Sequence, residues 1–299
     1  MRSTEPSASG ADQATETPAA ADPVSLPATP LLIIEGGHRW VPIDWRDLWL
    51  HRDLFYFLAL RDVKLRYKQT VLGVAWVLLQ PLLTTVVFTI LFGRLAHVPS
   101  QGAPYPIFAL AGLLPWNFFN GAVTNSANSL VGNSNLISKV YFPRMLIPAA
   151  AVAAALVDFT VASMLLLVLM PCYGVAFMAS LLMLLALTPL TVLAALGVGL
   201  WLAAHNVKYR DVRYAIPFIL QLWMFLTPVI YPVSFVPARW RWVILLNPLS
   251  GLIEGFRAAV FGLAMPWGSV LAAAALAAAF TAYALFSFSQ MEREFADVI

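Results

Sequence analysis

The chain has 299 residues, of which 61% are hydrophobic and 11% charged, and a mean hydropathy of +0.78. Soluble domains carry about 25% charged residues, so a water-soluble enzyme is excluded and the composition belongs in a bilayer. The single cysteine, Cys172, rules out an internal disulfide, and His38, His51, His97 and His205 form no metal-ligand spacing, so no metal site is expected. The net charge of +3 does not imply nucleic acid, because in a membrane protein the placement of basic residues matters more than their sum.

Residues 1–30 are rich in Ala, Pro, Ser and Thr and cannot bury enough apolar surface to offset ordering, so residues 1–38 are expected to form a disordered cytoplasmic tail. Residues 39–70 place charges on both sides of a short apolar middle, Leu54–Leu60. Seven apolar residues cannot cross a hydrocarbon core of about 30 Å. With Trp45, Trp49 and Tyr56 flanked by basic residues, this segment predicts an amphipathic helix lying in the membrane interface. Packing on the bundle from the cytoplasm explains the same pattern.

Residues 71–290 contain six stretches of spanning length: Val71–Gly93, Tyr105–Asn128, Leu146–Tyr173, Val175–Ala204, Tyr214–Val233 and Trp267–Phe288. With the N-terminus inside, 14 of the 18 Lys and Arg fall on the inner side, so both termini, including 291–299, are expected in the cytoplasm. The long outer link holds two apolar pieces too short to span, Trp240–Leu246 and Leu249–Leu263. These predict short re-entrant helices, a feature tolerated at membrane depth only where protein or a water-filled cavity covers it. The fold class is therefore an all-α membrane protein with six transmembrane helices, an interfacial N-terminal helix and re-entrant helices before the last span.

No GxxxxGK[ST] is present, and the spans carry one acid, Asp158, with no intramembrane Lys or Arg. Nucleotide-phosphate binding, proton-coupled transport and carboxylate-based glycosyl transfer all lack their usual groups. A conduit driven by another subunit remains the simplest reading. The alternatives are a membrane glycosyltransferase or polymerase acting on a polyprenyl-linked substrate, and a secondary transporter.

Several ordered motifs carry a resemblance: LRDVKLRYKQTVLGVAWVLLQPLL (Leu60–Leu83), FALAGLLPWNFF (Phe108–Phe119), NSNLISKVYFPRMLIP (Asn133–Pro148), NVKYRDVRYAIPFILQLWMFLTPVIYP (Asn206–Pro232) and NPLSGLIEGFRAAVFG (Asn247–Gly262). Together they resemble the permease subunit of type 2 ABC exporters for polysaccharides, the family serving O-antigen, capsule-like and teichoic acid export. A drug or small-lipid exporter of the same superfamily is set aside only by this resemblance.

The resemblance implies a homodimer in the bacterial inner membrane, joined to two ATP-hydrolysing subunits. Mg-ATP would lie in the partner and no cofactor or catalytic residue in this chain. The implied cargo is a polyprenyl-linked polysaccharide. It also implies ATPase coupling through Asn133–Arg144, with Asn135, Leu136, Ile137, Lys139, Tyr141 and Arg144 as candidates and Lys208 and Arg210 as a second contact. In that reading Leu136 and Ile137 fill a groove in the partner while Lys139 and Arg144 meet its acids; a topogenic basic loop would carry the same charges.

Arg61, Lys64, Arg66 and Lys68 are candidates for a lipid head group, although ordinary lipid anchoring uses such charges too. Phe88, Phe92, Trp116, Phe118, Phe119, Trp223, Phe225 and Tyr231 are candidates for a conduit wall, because aromatic faces stack on sugar C–H surfaces. Interfacial aromatics occur in membrane proteins generally. Glu254 and Arg257, at i,i+3 beside a Gly251–Gly255 GxxxG, are candidates for an external gate. Asp158 is expected to face the bundle and bond a hydroxyl, amide or water in a packing role.

Overall fold

A computed structural model describes residues 45–68, 73–209 and 211–292, with the side chains of residues 45, 73 and 74 excepted. The expected tail at 1–38, Arg210 and the last seven residues lie outside the described residues. Among the described residues the secondary structure is helical throughout, with no strand.

Two short helices come first, α1 (Trp45–Leu50) and α2 (Arg52–Tyr67), separated at His51. Leu58 of α2 is buried against the bundle, while Tyr56, Phe57 and Leu65 stay exposed, as does Trp49 of α1. The segment thus packs on the bundle and presents apolar side chains outward as well, the pattern of a helix at a lipid boundary.

The next helix, α3 (Gly73–Phe88), loosens into a π-helical turn at Thr89–Leu95. The span Ala75–Leu95 is mostly exposed along its length. At the far end Gly93 lies against Tyr105, where a Cβ would come within 2.9 Å of the ring.

The centre of the bundle is α4 (Tyr105–Gly132), whose Ile107, Leu110, Phe119, Ala122 and Leu130 are fully buried. It is followed by the one-turn α5 (Ser134–Ile137), then α6 (Leu146–Cys172) and α7 (Met183–Lys208). Helices α4, α6 and α7 pack closely. A Cβ on Gly199 would lie 2.5 Å from the Ser126 hydroxyl, so α7 and α4 can approach only with a glycine there. The last helix, α11 (Trp267–Met291), lies on α7, and its Thr281 hydroxyl donates to Leu193 O at 3.0 Å.

Among the described residues, five helical stretches are long and apolar enough to span: Ala75–Leu95, Tyr105–Gly132, Leu146–Cys172, Ala179–Lys208 and Trp267–Met291. The bent pair Ala238–Leu245 and Pro248–Phe261 makes up to six if it is one span, and the stretch read as Tyr214–Val233 is helical over a shorter length. Helix α8 (Val212–Leu226) has 15 residues, about 22 Å, which is short of the hydrocarbon thickness. It stops because Pro228 supplies no N–H and disfavours the helical conformation at Thr227, which is extended with φ −98 and ψ 139.

The link between α8 and α11 holds α9 (Arg241–Leu245) and α10 (Pro248–Phe261), and the chain bends by 101° between them. The Asn247 side chain accepts from Leu249 N at 3.1 Å and Pro248 opens α10. Gly262, at φ +64, ends it in the left-handed region. Both apolar pieces read from the sequence are therefore helices of a sharply bent pair. The GxxxG also holds: a Cβ at Gly251 would collide with the Ser269 carbonyl, and one at Gly255 would press on Val270 and Leu187.

Candidate functional site

At the end of the bundle carrying the basic loops, α5 and the following turn project between α4 and α6. Asn135, Lys139 and Val140 are exposed, and Tyr141 is 89% exposed. Ile137 is only 8% exposed and packs with Leu58, Leu130 and Phe142, with Leu136 half-buried alongside. The expectation that Ile137 fills a partner's groove is corrected: an apolar side chain at the foot of a one-turn helix gains more by anchoring that turn to its own core.

Arg144 is also corrected. Its guanidinium donates to Glu292 O at 2.7 Å, and its backbone N–H donates to Glu292 Oε1 at 3.0 Å. The basic loop is thereby tied to the end of α11 rather than left for a partner's acids. Burial raises the Glu292 carboxyl above its usual range, against the opposing pull of Arg144. Lys208 is exposed on the same end of the molecule, at the last turn of α7.

The four basic candidates on α2 divide. Arg61 is held by Asp62, with Nη2 at 2.8 Å from Oδ1. Arg66 forms an ion pair with Asp158 of α6, and the Tyr67 hydroxyl donates to the same carboxylate. Burial, and after it Asp158, push the Tyr67 hydroxyl up to about 12. Lys64 and Lys68 remain exposed. Asp158 therefore does find a hydroxyl, as expected of it, but its principal partner is a cation delivered by the interfacial helix. Sequence spacing holds no signal for a contact 92 residues apart.

The aromatic candidates divide by depth. Trp116 and Phe119 are buried in the protomer's own core, so their assignment to a conduit wall is corrected to packing, with Phe119 meeting Trp223 edge-on at 5.2 Å, whereas Phe118, almost as buried, borders a second cleft. Phe88 and Phe92 are half-buried, with ring centroids 5.5 Å apart on the last turns of the first span. Trp223, Phe225 and Tyr231 come together with Trp240, Val243 and Leu246 around an open cleft of about 380 Å³ between the end of α8 and α9. The sequence pointed to three of these side chains and missed Trp240, the first residue of an apolar piece it had marked.

Glu254 and Arg257, the candidates for an external gate, make no direct ion pair with each other; each meets other groups. Arg257 is 3% exposed and forks into backbone carbonyls: Nη1 to Pro228 O at 2.8 Å and Tyr231 O at 3.2 Å, Nη2 to Val229 O at 2.6 Å, and Nε to Phe108 O at 3.4 Å. Its guanidinium also stacks 3.7 Å from the centre of the Phe108 ring. A Cβ on Gly112 would lie 2.7 Å from Nη2, so that glycine makes room for the fork. Glu254, half-buried one turn earlier, is neighboured by Ser269. An arginine with this many carbonyl acceptors holds together the break in the chain that follows α8.

Long apolar helices around a sharply bent pair, with the exposed polar elements at one end and an aromatic cleft beside α8 and α9, define a polytopic helical membrane protein. The chain matches the ABC-2 type transporter family over residues 53–261 and belongs to that family. It is 33% identical over 266 residues to an O-antigen export system permease protein of Myxococcus xanthus, covering 85% of this chain and 98% of that one. It is 29% identical to the O-antigen export permease of Klebsiella pneumoniae, covering 69% of this chain and 79% of that one. To the polysialic acid transport protein KpsM of Escherichia coli it is 24% identical, covering 68% and 79%.

Proposed function

We propose that this chain is the membrane subunit of an ATP-driven exporter that moves a polyprenyl-linked, O-antigen-like polysaccharide across the cytoplasmic membrane. It works as a homodimer with two separate ABC ATPase subunits that bind Mg-ATP, and both its termini face the cytoplasm. The observation that supports this most is the similarity to an O-antigen export permease along 98% of that protein's length.

The geometry fits this reading at both ends. On the basic end, Asn135, Lys139 and Tyr141 stand exposed on a turn whose Ile137 and Arg144 are fixed to the bundle. A push received there passes into α4, α6 and α11 without being lost in a loose loop. At the other end, Trp223, Phe225, Tyr231 and Trp240 offer ring faces to a sugar chain, beside a re-entrant pair that Arg257 holds in place. Lys64 and Lys68, the exposed pair among the four basic candidates at the end of α2, attract an anionic head group to the membrane surface at about 1 kcal/mol each.

The test is to purify the tagged chain from gently solubilised native membranes and to complement a strain deleted for it. A stoichiometric ATPase partner with Mg-ATP hydrolysis, and surface glycan restored by the wild-type chain, is the expected result. A chain that purifies alone and leaves surface glycan unchanged overturns the reading.

A further inference from the structure

A second cleft, of about 230 Å³, opens between α3, α4 and α6. Four side-chain amides line it: Gln80 on α3 and Asn117, Asn120 and Asn125 on α4. None of the four side chains has a hydrogen-bond partner among the described residues. Asn128, next along the same face of α4, is satisfied by contrast, donating to Thr124 O at 2.8 Å and accepting from Asn206. Asn117 and Asn120 are half-buried and Gln80 and Asn125 exposed, so all four amides are open to whatever fills the cleft.

The chemistry of the lining selects a class of ligand. The charged groups in the lining, Arg66 and Asp158, neutralise each other at its edge, so the cleft has no net charge to draw in a phosphate. Amides both donate and accept, which suits hydroxyl groups. Phe118 and Phe159, in edge contact at 5.4 Å, supply an apolar floor. Nothing lies within 4 Å of a Cβ built on Gly121, so the space beside the asparagines is open. The volume is below the roughly 300–1,000 Å³ of pockets for larger ligands, which limits the occupant to about one sugar ring.

We propose that this cleft is a saccharide-binding site inside a single protomer, taking one uncharged sugar unit by its hydroxyls and distinct from the aromatic cleft beside α8 and α9. The proposal rests on the reading of the chain as a glycan exporter.

The test uses the full chain with its ATPase partner in lipid nanodiscs. The probe is the lipid-free and phosphate-free oligosaccharide released by mild acid from the cell's own surface glycan, observed by saturation-transfer NMR. Transfer to the sugar is expected in the wild type and in Gly132→Ala. It is expected to fall at least tenfold in the double variant Asn117→Leu/Asn120→Leu and in Gly121→Leu, which fills the cleft and leaves the amides in place. Equal transfer in every variant overturns the proposal. So does displacement by inorganic pyrophosphate, which would mark an anion site, or disulfide crosslinking between two copies of Asn120→Cys/Cys172→Ala, which would mark a seam between subunits. In the deletion strain, full restoration of surface glycan by Gly121→Leu overturns this site and leaves the exporter reading standing. Failure of the wild-type chain to restore it removes both.

Discussion

The guanidinium of Arg257 replaces the helical hydrogen bonds that Pro228 and the extended Thr227 take away from the end of α8. The carbonyls of Pro228, Val229 and Tyr231 accept from it, and the Ile230 carbonyl accepts from the Tyr105 hydroxyl at 3.0 Å. Removing the fork leaves several buried acceptors unpaired at about 1–3 kcal/mol apiece. Arg257→Leu is therefore expected to lower stability by about 3 kcal/mol or more. Arg257→Lys should recover little of it, because an ammonium lacks the planar spread of donors. Tyr105→Phe, which loses one bond, should cost about 1 kcal/mol. Denaturant unfolding in detergent followed by circular dichroism checks the order of the three. At the opposite end of the bundle, burial favours the protonated form of Glu292 in the folded protein. Stability should therefore fall as pH rises above its ordinary value of 4.5, where the unfolded chain gives up this proton first. Glu292→Gln, which can still accept from the Arg144 N–H, should flatten that fall; melting temperatures between pH 4 and 8 give the comparison.

At the scale of elements, the link between α8 and α11 is ordered by small residues as well as by the Arg257 fork. Helix α10 reaches α11 through Gly251 and reaches both α11 and α7 through Gly255. Gly251→Ala should cost about 1–3 kcal/mol through forced separation of α10 from α11. Gly132→Ala, with nothing within 4 Å of the added methyl group, should be neutral or stabilising by up to about 1 kcal/mol. Thermal denaturation of the pair separates a packing requirement from a general intolerance of alanine. Both re-entrant helices were legible from short apolar runs bounded by Pro and Asn. The early end of α8 was open to the same reasoning, since Thr227–Pro228 is a local helix-breaking signal inside an otherwise continuous apolar run.

For the whole molecule, the basic end combines an exposed face with an anchored one. Lys139→Ala/Tyr141→Ala removes side chains that touch solvent, so the variant should fold and reach the membrane normally while losing most of the co-purifying ATPase. Ile137→Ser puts a hydroxyl into the cluster around Leu58 and Leu130 and should lower the amount of folded chain itself. Measuring chain yield and partner yield in the same purification distinguishes the two effects; equal loss of both in Lys139→Ala/Tyr141→Ala would remove the docking assignment.

Hydrophobicity and small-residue spacing are properties of neighbouring residues, and they were enough to read a helical membrane protein, its long spans, its two short apolar helices before the last span and the glycine packing of α10. The partners of Arg144, Arg66 and Arg257 lie 148, 92 and between 26 and 149 residues away. Basic residues near a membrane look alike in one dimension, whether they sort topology, attract lipid or close a buried network. Only packing decides which of them meet an acid or a stranded carbonyl. The same holds for the aromatics: Phe119 and Phe225 carry the same ring, and tertiary structure buries one and leaves the other exposed.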